Sequence, residues 1–92
     1  MSLYKVSFTK QYLKDLRLAR KRNLDETKLN EVIKMLMNGE VLPMKNRDHA
    51  LTGDYKGCRE CHISPDWLLI YVKDDGIKIL TLLRTGTHSD LF

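Results

Sequence analysis

Three histidines, His49, His62 and His88, are the residues of this chain best suited to chemistry. An unperturbed imidazole titrates near ~6.5, so it gives and takes protons around neutral pH. Each of the three falls in a loop or near a strand end, where a rigid sheet can present it on a shared surface. Taken singly, each reads as an ordinary surface or hydrogen-bonded histidine. As a set with Asp and Arg, they match what RNA cleavage requires. RNA carries its own nucleophile, the 2′-hydroxyl. Cutting needs a base for its proton, an acid for the leaving 5′-oxygen, and cations to steady the phosphorane. None of these roles calls for a metal, and no cofactor is expected.

Other residues fit the same chemistry, each with a plainer alternative. Asp66 and Trp67 follow Pro65 at a turn. They are either a turn former and a core tryptophan, or an aspartate that orients an imidazole and an indole that stacks on a base. Arg59 and Arg84 fall on neighbouring strands. Each is either a surface partner of Glu60 or Asp90, or a fork for phosphate. Phe92, the last residue, gains little from a core and favours a role in binding.

Cys58-Arg59-Glu60-Cys61-His62 spells the pattern of covalent haem attachment. Within a strand, however, Cys58 and Cys61 project to opposite faces. That suits neither two thioethers on one ring nor a disulfide. A zinc site would need further ligands, and no second cysteine pair exists. Two reduced cysteines, at least one of them packed, are expected.

The elements that must position these residues follow from periodicity. Residues 3–8 alternate, with Tyr4, Val6 and Phe8 on one side, and read as a strand. Thr9 is placed to cap a helix running to about Arg22. Asn23-Leu24-Asp25-Glu26 resembles a capping box. The helix behind it carries Leu29, Val32, Ile33 and Leu36 at one-face spacing, and Asn38-Gly39 ends it. Residues 40–57 read as loop. Three strands are then expected at Cys58–Ile63, Trp67–Lys73 and Ile77–Arg84, the last two joined at Asp74-Asp75-Gly76. The order β-α-α-β-β-β predicts an α+β domain spanning residues 1–92, a helical hairpin on a mainly antiparallel four-stranded sheet.

Charge adds a candidate partner. The chain has 92 residues and a formal charge of +4. Residues 1–23 hold seven basic side chains against one acid. On the first helix Lys10, Lys14, Arg17 and Lys21 share the face opposite Tyr12, Leu16 and Ala19. Such a stripe suits a polyanion, though it also serves as a solvated face or a dock for an acidic protein. No apolar run approaches the ~20 residues that span a bilayer. Lys5 and Lys10 interrupt the opening residues, so no export leader is expected. The expectation is a cytoplasmic domain with no membrane contact.

The second half of the chain is more specific. Asp48-His49-Ala50-Leu51-Thr52-Gly53, Arg59-Glu60-Cys61-His62, Pro65-Asp66-Trp67 and Arg84-Thr85-Gly86-Thr87-His88-Ser89-Asp90-Leu91-Phe92 together resemble the YafQ-like branch of the RelE/ParE toxin superfamily. The resemblance covers nearly the whole chain and implies a RelE-like fold. It further implies the toxin of a type II toxin–antitoxin module, an endoribonuclease that cuts mRNA in the ribosomal A site. The active surface of such toxins falls here on His49, His62, Asp66, Trp67, His88 and Phe92, with Arg59 and Arg84 inside the matching motifs. The implied partners are a cognate antitoxin, mRNA and ribosomal RNA, with DNA met only indirectly through the toxin–antitoxin complex. Rival readings are a non-catalytic RNA- or ribosome-binding module and a gyrase-poisoning ParE-type toxin. The histidine set favours RNA cleavage.

Overall fold

Thr9 does cap the first helix. Its backbone is extended and its hydroxyl accepts from the Tyr12 N–H at 3.0 Å. The computed structural model describes residues 2–92. Strand β1 (Lys5–Phe8) leads into helices α1 (Lys10–Lys21) and α2 (Glu26–Met37). Asp25 caps α2 through the Thr27 N–H at 3.0 Å. Asn23 instead sits at φ 57° in the link between the helices, so the expected box reduces to its aspartate. Gly39 closes α2 at φ 73°, where an added Cβ would also meet the Leu3 side chain at 2.7 Å.

Strands β2 (His49–Ala50), β3 (Arg59–Ser64), β4 (Trp67–Asp74) and β5 (Ile79–Gly86) follow, with a short helix α3 (His88–Leu91) at the end. The sheet order is β1-β5-β4-β3-β2. β1 runs parallel to β5, and every other pair is antiparallel. The expected α+β, RelE-like arrangement is present, with one correction. The sheet has five strands rather than four, because two residues of the segment that reads as loop pair with β3. α3 is also additional. A capping box builds it, Thr87 accepting from the Asp90 N–H and Asp90 accepting from the Thr87 N–H.

The hairpin between β4 and β5 is an Asx turn. Asp74 accepts from the N–H groups of Gly76 and Ile77 at 2.9 and 3.1 Å. It delays the last strand to Ile79. Leu83 is an extra residue in β5 opposite the Ile70/Tyr71 step of β4. Its carbonyl accepts from the Thr9 hydroxyl at 2.8 Å. Next to it, Asp15 of α1 takes both the Arg84 guanidinium, at 2.9 and 3.1 Å, and the Thr85 N–H, at 3.2 Å. The bulge is thus where α1 is fastened to the sheet.

Alternation along the strands divides the interior in two. On the helix face, Tyr12, Ala19, Leu29, Val32 and Leu36 pack on Cys61, Ile63, Trp67, Leu69, Tyr71, Leu80 and Leu82. On the other face a smaller cluster joins Leu68 and Ile70 to Leu91 of α3, with Leu51, Tyr55, Cys58 and Leu83 against it. Of the alternating residues Tyr4, Val6 and Phe8, Tyr4 is buried and Phe8 is exposed.

Candidate active site

The second face carries the histidines. Glu60 and His62 are two residues apart on β3, so both point to the side of Leu68 and Ile70, their neighbours across β4. β2 pairs His49 directly opposite Glu60. The Nε2 atoms of His49 and His62 each lie 3.7 Å from Glu60 Oε1. The His49 Nδ1 is 2.6 Å from the Arg47 carbonyl, which fixes the ring. α3 brings in the third imidazole. The His88 ring lies 5.7 Å from that of His62, centroid to centroid, inclined at 63°. Three imidazoles from separate parts of the chain therefore meet around one carboxylate.

Asp66 orients His88. Its Oδ1 accepts from the His88 backbone N–H at 3.1 Å and lies 2.8 Å from the ring Nδ1. These bonds hold the Asp66 carboxyl below the usual carboxylate range. An Nδ1–H pointed at Asp66 leaves Nε2 as the free lone pair. Phe92 follows α3 directly. It is 64% exposed, with its ring edge-on to Tyr55 at 5.6 Å, so one aromatic face stays open beside the cluster.

Two residues proposed from sequence, Trp67 and Arg59, fall elsewhere. Trp67 is 2% exposed, packs in the helix-face core and donates its indole N–H to Thr85 Oγ1 at 2.8 Å. It has no face to offer a base. Arg59 neighbours Glu60 and so lies on the opposite side of the sheet, paired with Asp48 at 3.2 Å rather than with Glu60. Tyr71 donates to the same Asp48 oxygen at 2.5 Å. Arg84 stands across from Ile70 of β4, on the histidine side of the sheet, and its partner is Asp15 rather than Asp90, which holds Nε and one terminal nitrogen of the guanidinium from α1. Asp90 instead pairs with Arg22 at 2.6 Å. The α1 stripe is as expected: Lys10, Lys14, Arg17 and Lys21 are all exposed, and none is in an ion pair among the described residues.

Glu60 is the residue that sequence reasoning passed over. Its side chain is 6% exposed, at the centre of the cluster. Its spacing from His62 was the available signal, since positions two apart on a strand share a face. The cysteines divide as expected. Cys61 is buried on the helix face and Cys58 packs on the other. Burial pushes the Cys61 thiol up to about 12, which keeps it protonated. As for a metal, Glu60, His62 and His88 offer one donor atom each within 4.8 Å of one another. Two imidazoles and a carboxylate are a donor set that suits a zinc-like ion.

The family model for the bacterial toxin of type II toxin–antitoxin systems, YafQ, matches residues 4–92. The chain belongs to the YafQ toxin family. It is 44% identical over 88 residues to the mRNA interferase toxin YafQ of Escherichia coli K12, covering 95% of this chain and 94% of that one. Its fold matches the toxin in the crystal structure of the E. coli DinJ–YafQ toxin–antitoxin complex with a TM-score of 0.89, at 43% identity and 98% coverage of both chains. It also matches a metal-bound toxin from Helicobacter pylori with a TM-score of 0.91, at 37% identity, over 97% of this chain and 99% of that one. The RelE-like expectation and the YafQ resemblance both hold. No helix among the described residues is long and apolar enough to cross a membrane.

Proposed function

We propose that this YafQ-family toxin is an mRNA endoribonuclease that acts in the cytoplasm on messages in the ribosomal A site. The observation that carries the reading is the meeting of His49, His62 and His88 around Glu60, with His88 oriented by Asp66. The names of its relatives supply the class of activity. Family membership makes an antitoxin the natural partner, and the DinJ–YafQ complex is the pattern for it.

The cleavage uses the message's own 2′-hydroxyl. His88 is the first choice for the base, because Asp66 fixes its Nδ1–H and leaves Nε2 to take the proton. His49, anchored through Nδ1 to the Arg47 carbonyl, is the second. A protonated imidazole returns a proton to the leaving 5′-oxygen. His62, the least exposed of the three rings, steadies the charge of the phosphorane. Phe92 packs on a base and holds it splayed. The products are a 2′,3′-cyclic phosphate or 3′-phosphate and a 5′-hydroxyl. The stripe of Lys10, Lys14, Arg17 and Lys21 docks on ribosomal RNA, and its grip weakens as salt rises.

Primer extension on translated message, with and without ribosomes, tests this reading. Clean cuts within codons that appear only with ribosomes are expected. His88→Ala should lower cleavage by ~10²–10⁴-fold, the ordinary worth of a positioned acid or base. Full cleavage by both His49→Ala and His88→Ala would overturn the acid–base mechanism. Ribosome binding without cuts would overturn the nuclease.

A further inference from the structure

We infer that Asn46 is a positioning residue of the nuclease centre: the turn it closes replaces a missing strand and sets both His62 and His49. The inference rests on the nuclease reading and adds a residue that acts through the histidines.

The β2–β3 ladder shows what is missing. β2 pairs with β3 over two residues, Ala50 opposite Arg59 and His49 opposite Glu60. The Leu51 N–H extends the ladder to the Cys58 carbonyl at 2.9 Å. Hydrogen-bonded pairs in an antiparallel ladder recur at every second residue, so the pair after His49–Glu60 would be Arg47–His62. That pair is broken. Arg47 is left-handed, at φ 46°, and its N–H goes to the Met44 carbonyl at 3.0 Å. On the other side of β3 the register with β4 shifts between His62 and Ser64. His62 therefore stands where both flanking ladders are interrupted.

Asn46 supplies the lost bond. Its Nδ2 donates to the His62 carbonyl at 2.7 Å. Pro43, at φ −56°, starts the 3-10 turn Met44–Asn46, and its carbonyl accepts from the Asn46 N–H at 3.0 Å. Asn46 is only 6% exposed, and a buried amide is costly to leave without a partner, so the bond is held.

The exchange of a backbone bond for a side-chain bond has a use. A continuous strand would spend the Arg47 carbonyl on the His62 N–H. Here that carbonyl lies 2.6 Å from the His49 Nδ1. The contact selects the Nδ1–H tautomer and leaves Nε2 with the lone pair that a base needs. One turn of chain thus governs two of the three imidazoles, as Asp66 governs the third.

The test is single-turnover cleavage by the full chain on ribosomes carrying message, with the saturated rate and the half-saturating ribosome concentration read separately. Asn46→Asp keeps the volume and loses the amide donor. Asn46→Ala loses both. Each should lower the saturated rate by ~10–100-fold, the cost of a small misplacement of a catalytic group, and change half-saturation by less than about twofold. Val32→Ala, a cavity in the helix-face core, is the control for stability. It should lower the unfolding midpoint at least as far and still cut at the parent's rate. Nitrogen-15 spectra of the neutral histidine rings give a readout apart from cleavage. His49 should be the Nδ1–H tautomer in the parent and shift towards the Nε2–H form in Asn46→Ala. Asn46→Asp that cuts as fast as the parent, or Val32→Ala that loses rate to the same degree, overturns the positioning role and leaves the nuclease standing. An Nε2–H tautomer in the parent overturns the hold on His49, even where the Asn46 variants fail to fold. A parent that never cuts overturns the nuclease and the role of Asn46 within it, while the parent tautomer still decides whether the turn sets His49.

Discussion

The two faces of the sheet are built from the same strands and do different work. The helix face takes Cys61, Ile63, Trp67, Leu69, Tyr71, Leu80 and Leu82 into one core with α1 and α2. The apolar cluster on the other face is smaller, with Leu68, Ile70 and Leu91 buried, and beside it lie the buried Glu60, the histidines and Phe92. Odd and even residues of β3 and β4 are thereby sorted into stability and chemistry. The division allows a reactive surface of polar groups on a sheet whose rigidity comes from behind.

Breaking the helix face should have the largest effect on folding. Trp67→Ala removes a side chain that is buried on all sides and leaves Thr85 without its indole donor. We expect a decrease of ~3–5 kcal/mol in unfolding free energy by denaturant titration. Trp67→Phe separates the core role of this residue from a role on RNA. It keeps most of the packing, so a core role predicts a modest decrease in stability and near-normal cleavage. Strongly reduced cleavage by a stable Trp67→Phe would return the tryptophan to the RNA surface.

The next effect tests how the chemical face is assembled. Gly86 ends β5 where a Cβ would meet Asp90 Oδ2 at 2.9 Å and Asp90 Cβ at 3.0 Å. Gly86→Ala therefore presses on the capping box of α3 and moves His88. Overpacking of this kind costs ~1–3 kcal/mol, and cleavage should fall by more than stability does. If thermal unfolding shifts and cleavage is untouched, α3 is not what positions His88.

This division is partly legible in the sequence. The helices, the cap at Thr9 and the Asp74 hairpin are readable because their signals are local. The two-residue β2 is not, since two residues carry no period. Arg59 and Glu60 look like a pair because they are adjacent, but adjacency on a strand puts side chains on opposite faces. The same rule makes Glu60 a companion of His62. The partner of Arg84 is hidden for a different reason. Asp15 is 69 residues away, and only the packing of α1 on the β5 bulge brings the two together. The histidines come through because the motif resemblance points to all three, and the sheet gathers them through β2, β3 and α3.

A pH experiment sharpens the tie between α1 and α3. Arg22 holds the Asp90 carboxyl far below the usual carboxylate range, with the Thr87 N–H adding to the shift. A depressed carboxyl stabilises the fold fully above its ordinary pKa of ~3.9 and loses that contribution as pH falls through the depressed range. Arg22→Ala should raise the midpoint of acid unfolding, followed by circular dichroism. Near neutral pH the destabilisation should be small, because solvent screens a partly exposed pair. An unchanged acid midpoint would mean that the backbone cap alone secures Asp90.

The smallest effect on the fold belongs to the surface that neither face uses. Lys14 and Arg17 are exposed on α1 and unpaired among the described residues, unlike Arg20 and Arg22, which Glu26 and Asp90 engage. Lys14→Ala/Arg17→Ala should change stability by no more than ~0.5 kcal/mol. It should still weaken ribosome binding and flatten its salt dependence, by ~0.7–0.9 in the log–log slope for each phosphate that is no longer neutralised. The two faces would then be coupled only through geometry: α1 packs one side of itself on the core and turns the other to RNA. A salt slope equal to the parent's would sever that link, leave the stripe as a solvated face, and place the whole burden of RNA recognition on the histidine side of the sheet.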